Sequence, residues 1–155
     1  MTLLARHADN LFWIGRYVER AETQARLLEV GSRNSLIPNT SGGFRNEWES
    51  VLQATGGTKG FSEKYKDPVQ RNVESFLFFD EDNPSSVFSS IHAARENARI
   101  VRTALTSQTW DAINSAHQEM SELKRTERSK LSVNDLIDWT LRQAALIRGT
   151  IEDTQ

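Results

Sequence analysis

Six apolar residues near the start of the chain, Leu11, Ile14, Val18, Ala21, Ala25 and Leu28, recur at spacings of three and four and so share one stripe of an α-helix. The same period returns to the end of the sequence, and no segment alternates at period two between turn pairs of the hairpin type. Such a chain has helix faces to bury and no sheet to bury them against. The fold class that follows is all-α, an antiparallel helical bundle of about five to six helices.

Punctuation divides the pattern. The first helix runs from Ala8 to Gly31, with Gly31 as its stop and a loop marked by Pro38, Ser41, Gly42 and Gly43. Phe44, Trp48, Val51 and Leu52 predict a short second helix, and the Gly56-Gly57-Thr58-Lys59-Gly60 run reads as a flexible connector. Asp67 before Pro68 reads as an N-cap for a helix carrying Val69, Val73, Phe76 and Leu77 and ending near Asp80. Asn83 and Pro84 repeat that start signal ahead of the longest seam, Val87, Ile91, Ala94, Ala98, Val101 and Leu105. Ser107 is placed to cap a helix with Trp110, Ile113, His117 and Met120. Ser132 and Asp135 form a capping-box pattern before a last helix with Leu136, Ile137, Ala144 and Ile147.

Composition narrows the function classes. A length of 155 residues suits one domain with one core. No apolar run is long enough to span a bilayer, and Met1 to Asn10 lack the apolar core of a secretory signal, so the expected location is cytoplasmic. The absence of cysteine removes disulfides, thiolate nucleophiles and Cys-ligated zinc. A net charge of −2 argues against a nucleic-acid binder, which needs a broad basic surface. His7, His92 and His117 fall on separate segments without metal-ligand spacing, and no Glu-x-x-His pair of the di-iron type occurs, so neither metal nor cofactor is expected. The glycine run lacks the strand and helix of a phosphate loop. The four tryptophans, Trp13, Trp48, Trp110 and Trp139, read as core or edge anchors.

Two charged groups remain. At about 100° per residue, Glu19, Glu22 and Arg26 cluster beside the first stripe with Arg16 at their edge, while Arg20 points elsewhere. On the fourth helix Arg95, Arg99 and Arg102 form a line bordering the seam, with Glu96 and His92 further round. If that line faces Glu19 and Glu22, an interhelical Arg–Glu network results, with spare guanidinium able to clamp a carboxylate or phosphate. A structural ion-pair ladder and a ligand site are both open readings of these residues. His92, beside the Arg line, is the histidine to test as an acid or base.

Two stretches are more specific. Residues 11–28, LFWIGRYVERAETQARLL, and residues 76–114, FLFFDEDNPSSVFSSIHAARENARIVRTALTSQTWDAIN, resemble the bacterial alpha-E family, the all-helical domain of unknown function 403 named for its Glu-Arg motif. The resemblance places that pair on Glu19 and Arg20, among Gly15, Arg16, Tyr17, Glu22 and Arg26, and a second block on Asp80, Asn83, Pro84, Ser85, Arg95, Glu96, Asn97 and Arg99. It implies a role in a bacterial peptide synthesis or modification system with ATP-grasp ligases, transglutaminase-like proteins and an Ntn-hydrolase peptidase as partners. It also implies that residues 1–155 are the first copy of a usually duplicated module whose second copy is absent here. On this basis the leading expectation is a non-catalytic binding or scaffold module. The alternatives are an enzyme or substrate-binding subunit of amide-bond chemistry using the Glu-Arg helix, and a purely structural homodimer in which a second copy replaces the missing repeat.

Overall fold

The computed structural model describes residues 2–36, 46–126 and 131–152, without the side chains of residues 2–4, 7 and 46. The expected loop at Pro38 and 41–43, the Phe44 position and the His7 side chain lie outside the described residues. Seven α-helices and no strand occur among those described: α1 Thr2–Ser35, α2 Asn46–Thr55, α3 Thr58–Lys64, α4 Gln70–Glu74, α5 Val87–Ile100, α6 Ser107–Arg125 and α7 Val133–Glu152. The all-helical bundle is as expected, with more helices than five or six.

Four long helices close a ring in which α1 touches α5 and α7, and α6 touches both α5 and α7. Side-chain pairs set the directions. Phe88 meets Lys124, His92 meets His117, and Arg95 meets Asn114, so α5 and α6 run antiparallel. Thr109 at the start of α6 bonds the carbonyl of Thr150 near the end of α7, so that pair is antiparallel too. The seams read from spacing are the buried ones. Ile14, Val18, Ala21, Ala25 and Leu28 from α1, Val87, Ile91, Ala94 and Ala98 from α5, and Leu136, Ile137, Ala144 and Ile147 from α7 belong to one core. Alanines on the α1 and α5 stripes let these two helices approach closely.

Several local readings are corrected. Gly31 does not stop α1, which continues to Ser35. A Cβ built there would stand 2.5 Å from the Trp48 ring, so the glycine makes room for that indole. The expected connector at 56–60 is largely helical: Gly56 turns the chain at φ +73°, and α3 then carries Phe61 into the core. Asp67 is not an N-cap. Val69 holds that position without a side-chain cap, and the Asp67 carbonyl accepts from Asn72 Nδ2 and the Val69 amide. Ser86 rather than Asn83 caps α5, and Thr106 rather than Ser107 caps α6; each side chain accepts from the amide three residues on. The long seam stops being α-helical at Ile100, and Arg102–Ala104 form a 3₁₀ turn. The capping box at α7 forms as expected: the Asp135 amide donates to Ser132 Oγ at 3.1 Å, and the Ser132 amide donates to Asp135 Oδ2 at 3.4 Å.

Between α4 and α5 the backbone widens into a π turn, Ser75–Phe79. Phe76, Leu77, Phe78 and Phe79 are all buried. Four consecutive large apolar side chains cannot share one face of an α-helix, so this segment is enclosed on every side, packed against α1 and α5. Its carbonyls need partners, and Asn83 Nδ2 donates to the Phe76 carbonyl at 2.9 Å.

Candidate functional site

The residues expected to form one Arg–Glu network separate into three places. The first is a groove between α1 and α7. Arg16 pairs with Glu19 at 3.0 Å across one turn of α1. Glu22, whose side chain is 18% exposed, accepts from Arg148 of α7 at 2.8 Å and lies 3.9 Å from Arg26. The Glu22 carboxylate raises the pKa of Arg148, chiefly through that hydrogen bond. Leu11, Phe12, Gly15, Arg16, Glu19, Glu22 and Arg148 line an open groove of about 560 Å³. Phe12, which lines it, is exposed, and the exposed Trp13 stands edge-to-face against Phe12 with ring centroids 5.7 Å apart. Glu19 and Arg20, the expected Glu-Arg pair, diverge: Arg20 turns away onto the Tyr17 ring, 5.5 Å from its centroid.

The second place is the α5–α6 seam. Arg95 and Arg99 both bond Glu96, at 3.3 and 3.1 Å, and Arg95 reaches Asn114 Oδ1. Arg102 lies 4.6 Å over the Trp110 ring, and Arg95 lies 5.8 Å from the same centroid. Arg95 and Arg102 therefore face α6 while Arg99 stays on Glu96 of its own helix, and among the described residues none of the three pairs with Glu19 or Glu22, which corrects the expected network. The reason is rotational: Ala94 and Ala98 are α5 residues turned into the core, and Arg95 beside them emerges on the α6 side. Asn97 folds back to the Ala93 carbonyl at 3.0 Å. Hydrogen bonding from Arg99, outweighing desolvation, keeps the Glu96 pKa below the ordinary carboxylate value. Tertiary structure also joins what sequence left apart, since His92 Nδ1 and His117 Nε2 are 3.3 Å apart. Burial, helped by Arg95 and by His92, lowers the His117 pKa.

The third place is built around Asp80 and Asn83, just after the π turn. The Asp80 carboxylate is 1% exposed and is held by Lys64 Nζ at 3.0 Å, Tyr65 Oη at 3.1 Å and the Asp82 amide at 2.9 Å. Burial acts to raise its pKa, but the bonds from Lys64, Asp82 and Tyr65 prevail and lower it. Lys64 also reaches Asp82 at 3.3 Å, and its own pKa is raised, mainly by the Asp80 bond. Asn83 Oδ1 accepts from the Ser85 amide at 3.1 Å. Much of the Asp-x-x-Asn-Pro-Ser-Ser block thus locks the corner between the π turn and α5. That corner forms one wall of a cleft of about 600 Å³ whose other walls come from α3, the turn between α2 and α3, and Gln24 of α1.

Sequence reading missed Gln24, Lys64, Tyr65, Trp110 and Arg148 as members of these sites. Arg148 follows the seam residue Ile147 and carried a weak signal as a border charge. Lys64 and Tyr65 carried none, because their partner Asp80 is far along the chain.

A model of the Alpha-E family, a predicted alpha-helical domain with a conserved ER motif, matches residues 3–155. An uncharacterized protein of Mycobacterium bovis and one of Mycobacterium tuberculosis are each 32% identical to this chain over 117 residues, 68% of this chain and 13% of theirs. The chain therefore spans about an eighth of the length of the curated relatives it matches. No solved structure matches it.

Proposed function

The chain belongs to the Alpha-E family, and from that premise we propose that it is a non-catalytic docking module serving enzymes of bacterial peptide synthesis or modification. The observation that carries this reading is Phe12, 59% exposed in the groove bordered by Arg16–Glu19 and Arg148–Glu22, with Trp13, 43% exposed, against its ring. Two adjacent aromatic residues left in water are costly unless something covers them, and paired charges around an apolar centre are the anatomy of a protein interface. Gly15 supports the same reading. A Cβ built there meets nothing within 4 Å, so no contact inside the domain requires a glycine in this helix. A glycine in mid-helix costs about 1 kcal/mol relative to alanine, and close approach of a partner backbone is a reason to keep it.

The occupant we infer is a helix of a partner enzyme, laid along the groove over Gly15. The relatives carry the matching segment inside much longer chains, an arrangement in which such a face has other protein to meet. The partner classes are an ATP-grasp ligase, a transglutaminase-like protein and an Ntn-hydrolase peptidase, as the family resemblance implies. The test is pull-down of each with the wild-type chain and with a Phe12→Ala/Trp13→Ala double variant. Capture by the wild type and loss of at least tenfold in the variant is the expected outcome. Capture of none of the three rejects the reading. A dimeric mass for the chain alone, lost in the double variant, favours self-pairing in its place.

A further inference from the structure

The edge between α5 and α6 carries a positive excess that the bundle itself does not use. In a chain of net charge −2, Arg95, Arg99 and Arg102 follow one another along this edge, and the carboxylate they share is Glu96. Arg95 and Arg99 both bond it, so Glu96 spaces the two guanidiniums and neutralises one of them. Arg102 stands outside that arrangement. It is exposed, and its guanidinium lies 4.6 Å over the ring of Trp110, a half-buried residue of α6. A cation–π contact is made by the charge, so the N–H donors of Arg102 are left for an acceptor, and among the described residues none takes them. Arg95 is steadied from the same side: its Nε donates to Asn114 Oδ1 at 3.4 Å, and its guanidinium carbon is 5.8 Å from the Trp110 centroid. Two of the three forks are thus set in place by the neighbouring helix before anything binds, which lowers the entropy cost of using them. Tryptophan and arginine are also the residue types that most often dominate protein interfaces.

We propose that this edge docks an acidic segment of a partner protein, whose carboxylates bond Arg95, Arg99 and Arg102 in turn. The spacing suits such a segment. Arg99 stands one turn beyond Arg95, roughly 6 Å along the axis, and the run from Arg95 to Arg102 covers roughly 10 Å, which a line of carboxylates spans and a single small anion does not. A nucleic acid fits less well, because three guanidiniums less one carboxylate make a short stripe rather than the broad basic surface that a phosphate backbone needs. In the ring of four long helices the α5–α6 edge lies opposite the α1–α7 groove, so this contact stands independently of the face at Phe12.

Amide NMR on the full 155-residue chain tests this. The probes are a capped alanine-based peptide with glutamates spaced four and three residues apart, the same peptide with glutamines in their place, inorganic phosphate and a short thymidine oligonucleotide. The glutamate peptide is expected to give saturable shifts at the Trp110 indole N–H and at the amides of Arg99 and Arg102, and to bind severalfold more weakly as salt is raised. The glutamine peptide, phosphate and the oligonucleotide are expected to bind at least tenfold more weakly. Arg99→Gln/Arg102→Gln, at two exposed positions, should weaken the glutamate peptide at least tenfold with the rest of the spectrum unmoved. Phe12→Ala/Trp13→Ala should leave its affinity unchanged, so failure of this edge and failure of the docking groove are read separately. No saturable shift from the glutamate peptide at millimolar concentration overturns the proposal. So does equal binding of the glutamine peptide, or unchanged affinity in the arginine double variant. Phosphate or the oligonucleotide binding as tightly as the glutamate peptide overturns it as well, and marks a small-anion or a nucleic-acid contact in its place.

Discussion

Gly31 illustrates how one residue type carries two meanings. Before loop residues a glycine reads as a helix stop, yet here it is buried in α1 because Trp48 lies against its Cα. Gly31→Ala should therefore destabilise the protein by about 1–3 kcal/mol through overpacking, despite the higher helix propensity of alanine. Thermal unfolding measures this, and a red-shifted Trp48 emission would accompany the displaced indole. Gly15→Ala is the matched contrast: with nothing near, it should stabilise by up to about 1 kcal/mol. Asp80 is the second decisive residue. Its buried carboxylate accepts three hydrogen bonds, and Asp80→Asn should cost about 2 kcal/mol in chemical denaturation, since an amide presents donors to donors.

At the scale of elements, helix ends and cross-helix pairs matter more than helix interiors. The reciprocal Ser132–Asp135 box makes Ser132→Ala worth about 1 kcal/mol, read as a lower Tm. The Glu22–Arg148 pair joins α1 to α7 across 126 positions of chain, but the arginine side chain is 44% exposed. A double-mutant cycle with Glu22→Gln and Arg148→Gln should return a coupling of no more than about 1 kcal/mol. A coupling several times larger would show that the groove is drier than its exposure indicates. Asp80 joins the corner after the π turn to α3, so truncating it should loosen α3 first, visible as faster amide exchange at Phe61 and Tyr65.

For the whole molecule, Asp80 and His117 are among the groups that give stability its pH dependence on the acid side; Glu96, with its lowered pKa, acts in the same sense as Asp80, and Glu74, whose pKa burial raises, acts against it. Folding lowers the Asp80 pKa below 3.8, so the contribution of its ionised form is complete above that value and is lost as pH falls through the lower folded value. Folding also lowers the His117 pKa below 6.5. The unfolded chain then takes up a proton first, and stability declines as pH falls from 6.5 toward the folded value, after which this slope ends. The groups facing His117 are His92, Arg95 and Glu96. Urea unfolding from pH 7.5 to 3 should show both slopes. His117→Gln should remove the upper one, and Asp80→Asn should flatten the lower one.

Period and spacing alone determined the helical class, the seams of α1, α5 and α7, the capping box at Ser132 and the cluster of Glu19, Glu22 and Arg26 with Arg16 at its edge. All of these rest on interactions within about four residues, which a linear chain displays directly. The Alpha-E blocks were legible for the same reason. Tertiary structure alone decided that Arg95 and Arg102 face Trp110, with Arg95 on Asn114, that His92 meets His117, that Arg148 answers Glu22 and that Lys64 closes over Asp80. Each depends on the rotation of one helix about its axis against another, and a charged residue bordering a seam can emerge toward either neighbour. Gln24 makes the point most plainly. In sequence it is one polar residue beside an alanine, and only the elements packed around it bury its carbonyl without a partner among the described residues.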